Sequence, residues 1–507
     1  MRIPRILIFA YVALNSLFLV GYAVYLTATV RGNPLQLLLA LLFLLLAVIL
    51  GILSSFVAYF YAYSGACSRN DRGCSPPRKL PSVALAVATC NEEGRLVKQT
   101  LVSLKKIEYP RDKLEWWILD NSDEPEARTR NEKLARQNGY TYVYHERKEG
   151  FKAGSLNNLL GLTKAGYLVV FDSDEKLFDS KFLLENIGWF YRVPKLAFVQ
   201  TEKRAANPSS LFSRAVEAIF GLFYDSVQPL RSEIGIAMYT GSQGILDVSI
   251  LRKLGGFPAH PPMPAEDTHY SLVASFAGYQ GIYVAKAYAY GEPVENFSTY
   301  ARQQWKYSYG NARLLPTYLD RMGELKGWKV HLHYLANFFG FPYSSLVVIL
   351  LAFLSSAFVL SNLSFTMVTF SEAFSVFSTQ DRLWLNVMPI LATVINLVVI
   401  ARFYFGSFRV GLMATALNLA LAFRRSEAAL AASTRDLSEI EVTSKSKVLS
   451  GSVFAAMRLT RVETAYGLFF LALAVFSVLR GDLAGGFWMM WYSFMFSFAL
   501  IFAMRYG

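Results

Sequence analysis

Apolar positions along the chain fall into two regimes. Toward both ends they form nearly unbroken runs, whereas the middle shows short apolar bursts separated by charged and turn-forming residues. A helix that crosses a bilayer needs roughly 20 apolar residues, and roughly six segments reach or approach that length: 6–28, 35–63, 336–360, 384–404, 466–479 and 487–504, the fifth being the shortest. The stretch between the second and third, about 270 residues, has the size of one or two soluble domains. The expected organisation is therefore two spans over 1–64, a globular domain over 65–330, two spans over 331–405, an interfacial and polar segment over 406–462, and two spans over 463–507.

Within the middle region the pattern repeats. "SVALAVATCNEEGRLVKQTLVSLKKI" runs from small and β-branched residues through acidic and polar ones into apolar positions at helical spacing. "LEWWILDNSDEPEARTRNEKLARQNG" has the same order, and "AGYLVVFDSDEKLF" follows the helix-like "AGSLNNLLGLTK". Strands joined by helical crossovers predict an α/β domain with a mostly parallel sheet. Ligands of such sheets sit beyond the carboxyl ends of the strands, which here carry Thr89, Asn91, Glu92 and Glu93, then Asp120, Asn121 and Asp123, then Asp172 and Asp174. Acidic turns also cap helices, but carboxylates at all three strand ends exceed what capping needs. The "DSD" at 172–174 presents hard oxygen donors suited to Mg²⁺ or Mn²⁺, ions that keep waters and take further positions from substrate phosphates.

Composition adds orientation. The chain of 507 residues is 54% hydrophobic with a formal charge of +13, so its charge must be segregated. Arg2, Arg5, Arg69, Arg72, Arg78 and Lys79 flank the first two spans on one side, and Lys326, Lys329, Arg402, Arg409, Arg424, Arg425, Lys445 and Lys447 extend that side, whereas the loop after the first span holds only Arg31. Basic residues mark the cytoplasmic face, which predicts a multi-pass protein of the cell membrane with both termini and the globular domain inside. Such flanks face anionic lipid. Dispersed basic residues without a recognition motif exclude nucleic-acid binding. The first run lacks a small-residue cleavage site and reads as an anchor. Cys67, Cys74 and Cys90 form neither a disulfide framework nor a metal motif and read as unpaired cytosolic thiols, although Cys67 and Cys74 can pair in a thermophile.

The order of motifs, "ATCNEE", "ILDNSDE", "FKAGSLNN", "VVFDSDEKL", "VQTE", "TGSQGILDVSILRKLGGF", "AEDTHYSL" and "QQWKY", resembles the membrane-embedded processive family 2 glycosyltransferases with the GT-A fold, which include cellulose, chitin, hyaluronan and mannan synthases. The resemblance implies that Thr89, Glu92 and Asp120 hold the base and ribose of a UDP- or GDP-linked sugar and that Lys152 and Asp172 lie beside its diphosphate. It implies that Asp174, with Asp172, binds the metal, and that Asp267, next to Glu266, is the catalytic base. In "QQWKYSYG", Gln303, Lys306, Tyr307 and Gly310 occupy the places of a Gln, Arg, Trp and Gly motif. Lys306 keeps the charge for the leaving pyrophosphate but loses the two-pronged grip of Arg. Tyr307 keeps a smaller ring for the acceptor, and Trp305 is a candidate for the missing one. A membrane-interface aromatic belt would explain these rings, but not Gln303 at that spacing.

Further along, "EIEVTSKSK" resembles a gating loop, with Val442, Thr443 and Lys445 in register, and the preceding "RVGLMATALNLALAF" reads as an interfacial helix. The implied activity is inverting transfer to a growing glycan, with export through the spans past Asn337, Tyr343, Asn386, Asn396 and Tyr404; no accessory subunit is identified. Two alternatives stand beside it: a non-processive transferase that loads a sugar on a lipid carrier, and a non-catalytic scaffold or transporter. Against the latter, the spans hold few ionisable residues, where a coupled transporter would place some.

Overall fold

The computed structural model describes residues 34–64, 73–146, 150–260, 264–360, 406–434 and 453–507. The small and branched residues of β1 (Val83–Thr89) are buried on both faces, as a central strand requires. β1 pairs in parallel with β2 (Leu114–Asp120), Thr89 opposite Asp120, and on its other side with β4 (Tyr167–Asp172). β3 (Thr141–Tyr144) extends the sheet beyond β2. The Gly94–Leu104 and Pro125–Asn138 helices cover one face through Val97, Leu101, Leu104 and Ala135, and the Phe151–Leu162 helix covers the other through Leu156, Leu159 and Leu160.

The sheet has eight strands in the order β3-β2-β1-β4-β7-β6-β8-β5. Its second half departs from the expected parallel pattern. β7 (Gly244–Asp247) runs antiparallel to β4 and to β6 (Leu196–Ala205), while β6 and β8 (Gln280–Gly291) are parallel and the short β5 (Lys176–Leu177) runs against β8. The reversal matters for the site: an antiparallel strand brings the residues that precede it, here Thr240–Gln243, to the rim where its parallel neighbours end.

Among the described residues three helices are long and apolar enough to cross a membrane: Trp328–Ala357, Arg461–Leu479 and Gly485–Tyr506. The fifth expected run is thus longer than its apolar core, beginning at Arg461. The second corresponds to the Pro34–Ser64 helix. The runs at 6–28 and 384–404 lie outside the described residues, as does Cys67; Cys74 carries a free, buried thiol.

The segment expected to lie along the membrane is a helix, Phe408–Ala420, whose Ala414, Leu417 and Ala420 pack with Phe212, Phe297, Tyr300 and Phe502. One cluster thereby joins the globular domain to the C-terminal apolar helix. The following Ala422–Thr434 helix presents Ala428, Ala429, Ala431 and Ala432 to Tyr309 and Ala312 of the Phe297–Arg321 helix. On that long helix Gly310 abuts the segment before Glu266: an added Cβ would lie 2.5 Å from the Ala265 Cβ and 2.6 Å from the Pro264 carbonyl oxygen. Gly310→Val is therefore expected to cost about 1–3 kcal/mol through overpacking. Gly323→Ala, with nothing within 4 Å, is the control; thermal unfolding of both variants in detergent checks the difference.

Candidate functional site

The acids at the strand ends fall into two layers. Thr89 and Asp120 are buried beneath the rim. Thr89 Oγ1 donates to Glu92 Oε2 at 2.8 Å, and the Cys90 N–H bonds the same carboxylate oxygen. Asp120 Oδ1 accepts from the Ser122 N–H at 2.8 Å, and Oδ2 accepts from Asn131 Nδ2 at 3.1 Å and Tyr142 Oη at 2.9 Å. Thr89 and Asp120, the last residues of paired central strands, are enclosed just behind the lining formed by Ala88, Cys90 and Asn91, and three internal donors hold the Asp120 carboxylate in place. Glu92 does face the cavity, with Asn91, Asp123, Arg128 and Tyr144. The Arg128 guanidinium lies 4.4 Å from the Tyr144 ring centre, and its Nε donates to the Ser122 carbonyl at 2.7 Å. Sequence reasoning missed this flat, cationic pair, because helix Pro125–Asn138 and β3 meet only in the fold.

The next group is a knot of acids and lysines. Asp172 ends β4, and the Asp172 N–H donates to Glu175 Oε2 at 2.9 Å, closing the DSDE turn. Lys152 enters from the first turn of its helix, after Gly150 (φ 91) and Phe151 (φ 52) turn the backbone sharply. Its Nζ lies 2.6 Å from Asp172 Oδ1 and 2.9 Å from the Gly241 carbonyl. Burial alone would lower the Lys152 pKa, but Asp172 and Glu266 outweigh it and hold the ammonium charged. Lys203, from β6, sits 3.2 Å from Glu175 Oε1 and 3.5 Å from Asp172 Oδ2, and these acids likewise raise its pKa against burial. Lys203 and Glu175 were not singled out from the sequence. The "DSDEKL" and "TEK" runs carried them, but their meeting depends on β4 and β6 both flanking β7.

Asp267 and Glu266 open the Glu266–Phe276 helix. Asp267 Oδ1 accepts from the Thr268 N–H at 2.6 Å, and Oδ2 points toward Gly241, 3.2 Å from where a Cβ would stand. Burial raises both carboxyls, Glu266 to about 7 with Asp267 repelling it, while the Thr268 N–H and Lys152 restrain the rise at Asp267. A helix N-terminus favours the charged form, so burial prevails over it here.

The Phe297–Arg321 helix explains the aromatic cluster by period. Gln303, Lys306 and Tyr307 stand at i, i+3 and i+4 and face the cavity. Gln303 Nε2 donates to Tyr307 Oη at 3.1 Å, leaving Gln303 Oε1 without a partner. Trp305 lies about 200° around the helix from Tyr307. It stacks on Tyr309 at 5.3 Å and packs toward the alanines of Ala422–Thr434. Trp305 is thus separated from the ring position expected of it, since two residues of helix carry a side chain to the opposite face. Tyr343 also belongs to that far cluster, whereas Asn337 lines the cavity. Val442, Thr443, Lys445, Asn386, Asn396 and Tyr404 lie outside the described residues.

All of this opens on one cavity of about 2040 Å³, lined by Glu92, Lys152, Asp172, Asp174, Asp267 and Lys306 at the sheet and by Asn337, Phe341, Ser344 and Leu53 among the apolar helices. Among the described residues no three His, Cys, Asp or Glu side chains are placed to enclose a metal by themselves. Asp172 and Asp174 fit a hard divalent cation that keeps an open face for waters and diphosphate oxygens.

Comparison with known proteins gives the class: the chain is a glycosyltransferase. Residues 167–422, half of the chain, match the family described as Glycosyl transferase family group 2, and the chain belongs to it. The UDP-forming cellulose synthase catalytic subunit of Pseudomonas fluorescens is 29% identical over 275 residues, 52% of this chain and 36% of that one. Cellulose synthase 1 of Komagataeibacter xylinus is 28% identical over 282 residues, 54% of this chain and 18% of that one. The chain thus spans about a third or less of the length of these curated relatives. A mannosyltransferase from Pyrobaculum calidifontis, solved with GDP-mannose and Mn²⁺, has a TM-score of 0.49 at 20% identity, covering 74% of this chain and 98% of that one.

The buried layer makes a stability prediction. Asp120→Ala strands the Ser122 N–H, the Asn131 amide and the Tyr142 hydroxyl, so it is expected to cost about 3 kcal/mol. Arg128→Ala, at the rim, should cost about 1 kcal/mol or less. Denaturant unfolding that ranks them the other way would reject the two-layer description.

Proposed function

We propose that the chain is an inverting transferase that moves a sugar from a UDP- or GDP-linked donor to a hydroxyl of a growing glycan, and that it works processively at the cytoplasmic face of a membrane. One observation carries the reading: Asp174, Asp267 and Lys306, from three separate elements, share a single cavity that continues past Asn337 into the apolar helices. The UDP-forming name of the Pseudomonas relative and the family membership support a nucleotide-sugar donor. The sheet, ending in acids at its carboxyl rim, agrees with a GT-A domain.

In this reading the nucleoside rests against Glu92, Asn91 and the Arg128–Tyr144 pair, with Thr89 and Asp120 fixing the turn beneath it. Asp172 and Asp174 hold Mg²⁺ or Mn²⁺, an ion that supplies charge stabilisation to a diphosphate leaving group. Lys152, Lys203 and Lys306 add positive charge on the same side. Gln303, through its unpartnered Oε1, accepts from an acceptor hydroxyl, and the Tyr307 ring backs the sugar. Asp267 takes the proton of the attacking hydroxyl while the acceptor's hydroxyl oxygen bonds to the anomeric carbon, and the carbon–oxygen bond to the diphosphate breaks with its electron pair leaving on the nucleotide. A single displacement inverts the anomeric centre, so an α-linked donor gives a β-linked product.

The test is a panel of nucleotide sugars supplied with Mg²⁺ or Mn²⁺, reading released nucleotide and glycan product. Asp267→Asn is expected to lower transfer roughly 10²–10⁴-fold, the usual contribution of a general base, while nucleotide binding persists. Undiminished product would sink the assignment. Because burial raises the Asp267 carboxyl and only its ionised form accepts a proton, kcat/KM should fall as pH drops through an apparent pKa above the ordinary carboxylate range. A profile flat down to about pH 4 would contradict that sign.

A further inference from the structure

Where the cavity leaves the globular domain it meets a buried cation. Arg231, on the Gln228–Glu233 helix, is 1% exposed, and it lines the cavity with Leu50 and Leu53 of the Pro34–Ser64 helix. Its Nη2 donates to the His333 carbonyl at 2.8 Å, inside the Trp328–Ala357 apolar helix, and its guanidinium lies 5.4 Å from the Tyr334 ring centre. Its Nε and Nη1 have no hydrogen-bond partner, and no carboxylate faces it among the described residues. Burial lowers its pKa to about 10, so it stays charged at neutral pH. An enclosed charge without a counter-charge is costly, and one that lines a cavity is stabilised by an anion entering that cavity.

A second cation lines the same stretch. Arg425 is 7% exposed, with its Nε unpartnered and its guanidinium 5.2 Å from the Phe341 ring centre. Between the two lies a π-helical turn, Ala336–Gly340, and such turns recur at functional sites. From it Asn337 Nδ2 donates to Asn311 Oδ1 at 2.5 Å, and Asn311 Nδ2 to the Tyr307 carbonyl at 2.8 Å, a polar path that leads back to Gln303 and Asp267.

We propose that this junction binds the phosphate of a lipid-anchored acceptor, with its hydrocarbon along Leu50 and Leu53 and its glycan reaching Asp267 past Asn337 and Asn311. The proposal rests on the reading that the cavity holds an acceptor, and it names the acceptor's anchor. A phosphate suits the site because a guanidinium offers it paired donors, and the neighbouring wall is apolar where a soluble anion would need none.

Purified full-length protein in detergent, titrated with farnesyl phosphate, farnesol and inorganic phosphate, tests this directly. Farnesyl phosphate is expected to bind roughly tenfold or more tightly than either other probe, and Arg231→Gln to weaken it by a similar factor, as loss of a buried charge partner does. Arg231→Lys, which keeps the charge, should lose less. Farnesol binding as well as farnesyl phosphate would overturn the proposal in the wild-type protein alone, whatever the variants do. Inorganic phosphate binding as tightly as the lipid would also overturn it, leaving a free-anion pocket. These titrations read binding without turnover, so a failure of every nucleotide sugar to react would defeat the transferase reading separately.

Discussion

Crowding of negative charge at one rim is the constraint around which this protein is built. Asp172, Asp174, Glu175, Glu266 and Asp267 all line one cavity, and Glu175 is 2% exposed. Charges a few ångströms apart away from bulk water repel by several kcal/mol even at a generous effective dielectric. The fold answers with two lysines driven in from opposite directions. Lys152 rises from a helix start shaped by two left-handed residues, and Lys203 comes across from β6. Each is shared between acids, so neither is spent on one partner. The arrangement holds hard oxygen donors and cations side by side, with Lys152 facing carboxylates from different elements and Lys203 facing two from one turn.

The same constraint explains the antiparallel β7. Four parallel strands present only their carboxyl ends, which supply the acids. The loop before β7 supplies what they lack: the Gly241 carbonyl that fixes Lys152, and the Ser242 hydroxyl that donates to Glu175 at 2.7 Å and bonds Lys203. At Gly241 the backbone takes φ 81, and the space a Cβ would fill lies between Asp267 and Lys152. A side chain there would occupy the gap between the proposed base and the proposed leaving-group cation.

How far the sequence revealed this depends on the range of each interaction. Strand-to-helix periods are local, and the structure forms β1, β2 and β4 and the helices between them as the pattern predicts. So is the i, i+3, i+4 spacing of Gln303, Lys306 and Tyr307. Trp305 misled because composition near a motif is not position on a helix: the 3.6-residue period puts it against alanines of a segment more than a hundred residues later. The surroundings of Asp120 were hidden in another way: the Asn131 and Tyr142 donors that hold its carboxylate come from other elements, which the local pattern does not juxtapose. Lys203, Arg128 with Tyr144, and Arg231 stayed hidden because each gains meaning from partners that the chain order does not juxtapose.

The Phe297–Arg321 helix finally shows why chemistry and apolar helices cannot be treated as separate halves. One face carries Gln303, Lys306 and Tyr307 into the cavity; the other is held to the Ala422–Thr434 helix, where Arg425 Nη2 donates to Gln304 Oε1 at 2.6 Å and Ser308 Oγ donates to the Arg425 carbonyl at 3.0 Å. Both faces belong to the same turns of one helix, so the packing that fixes Gln304 and Ser308 also fixes where Gln303, Lys306 and Tyr307 stand. Gly310 permits close approach to the Glu266–Asp267 turn, so the proposed acceptor wall and the proposed base are in contact through backbone rather than through adjustable side chains. The spacing between the Gln303–Lys306–Tyr307 face and Asp267 is in this way set by packing that begins among the apolar helices, which makes the geometry of the cavity a property of the whole junction.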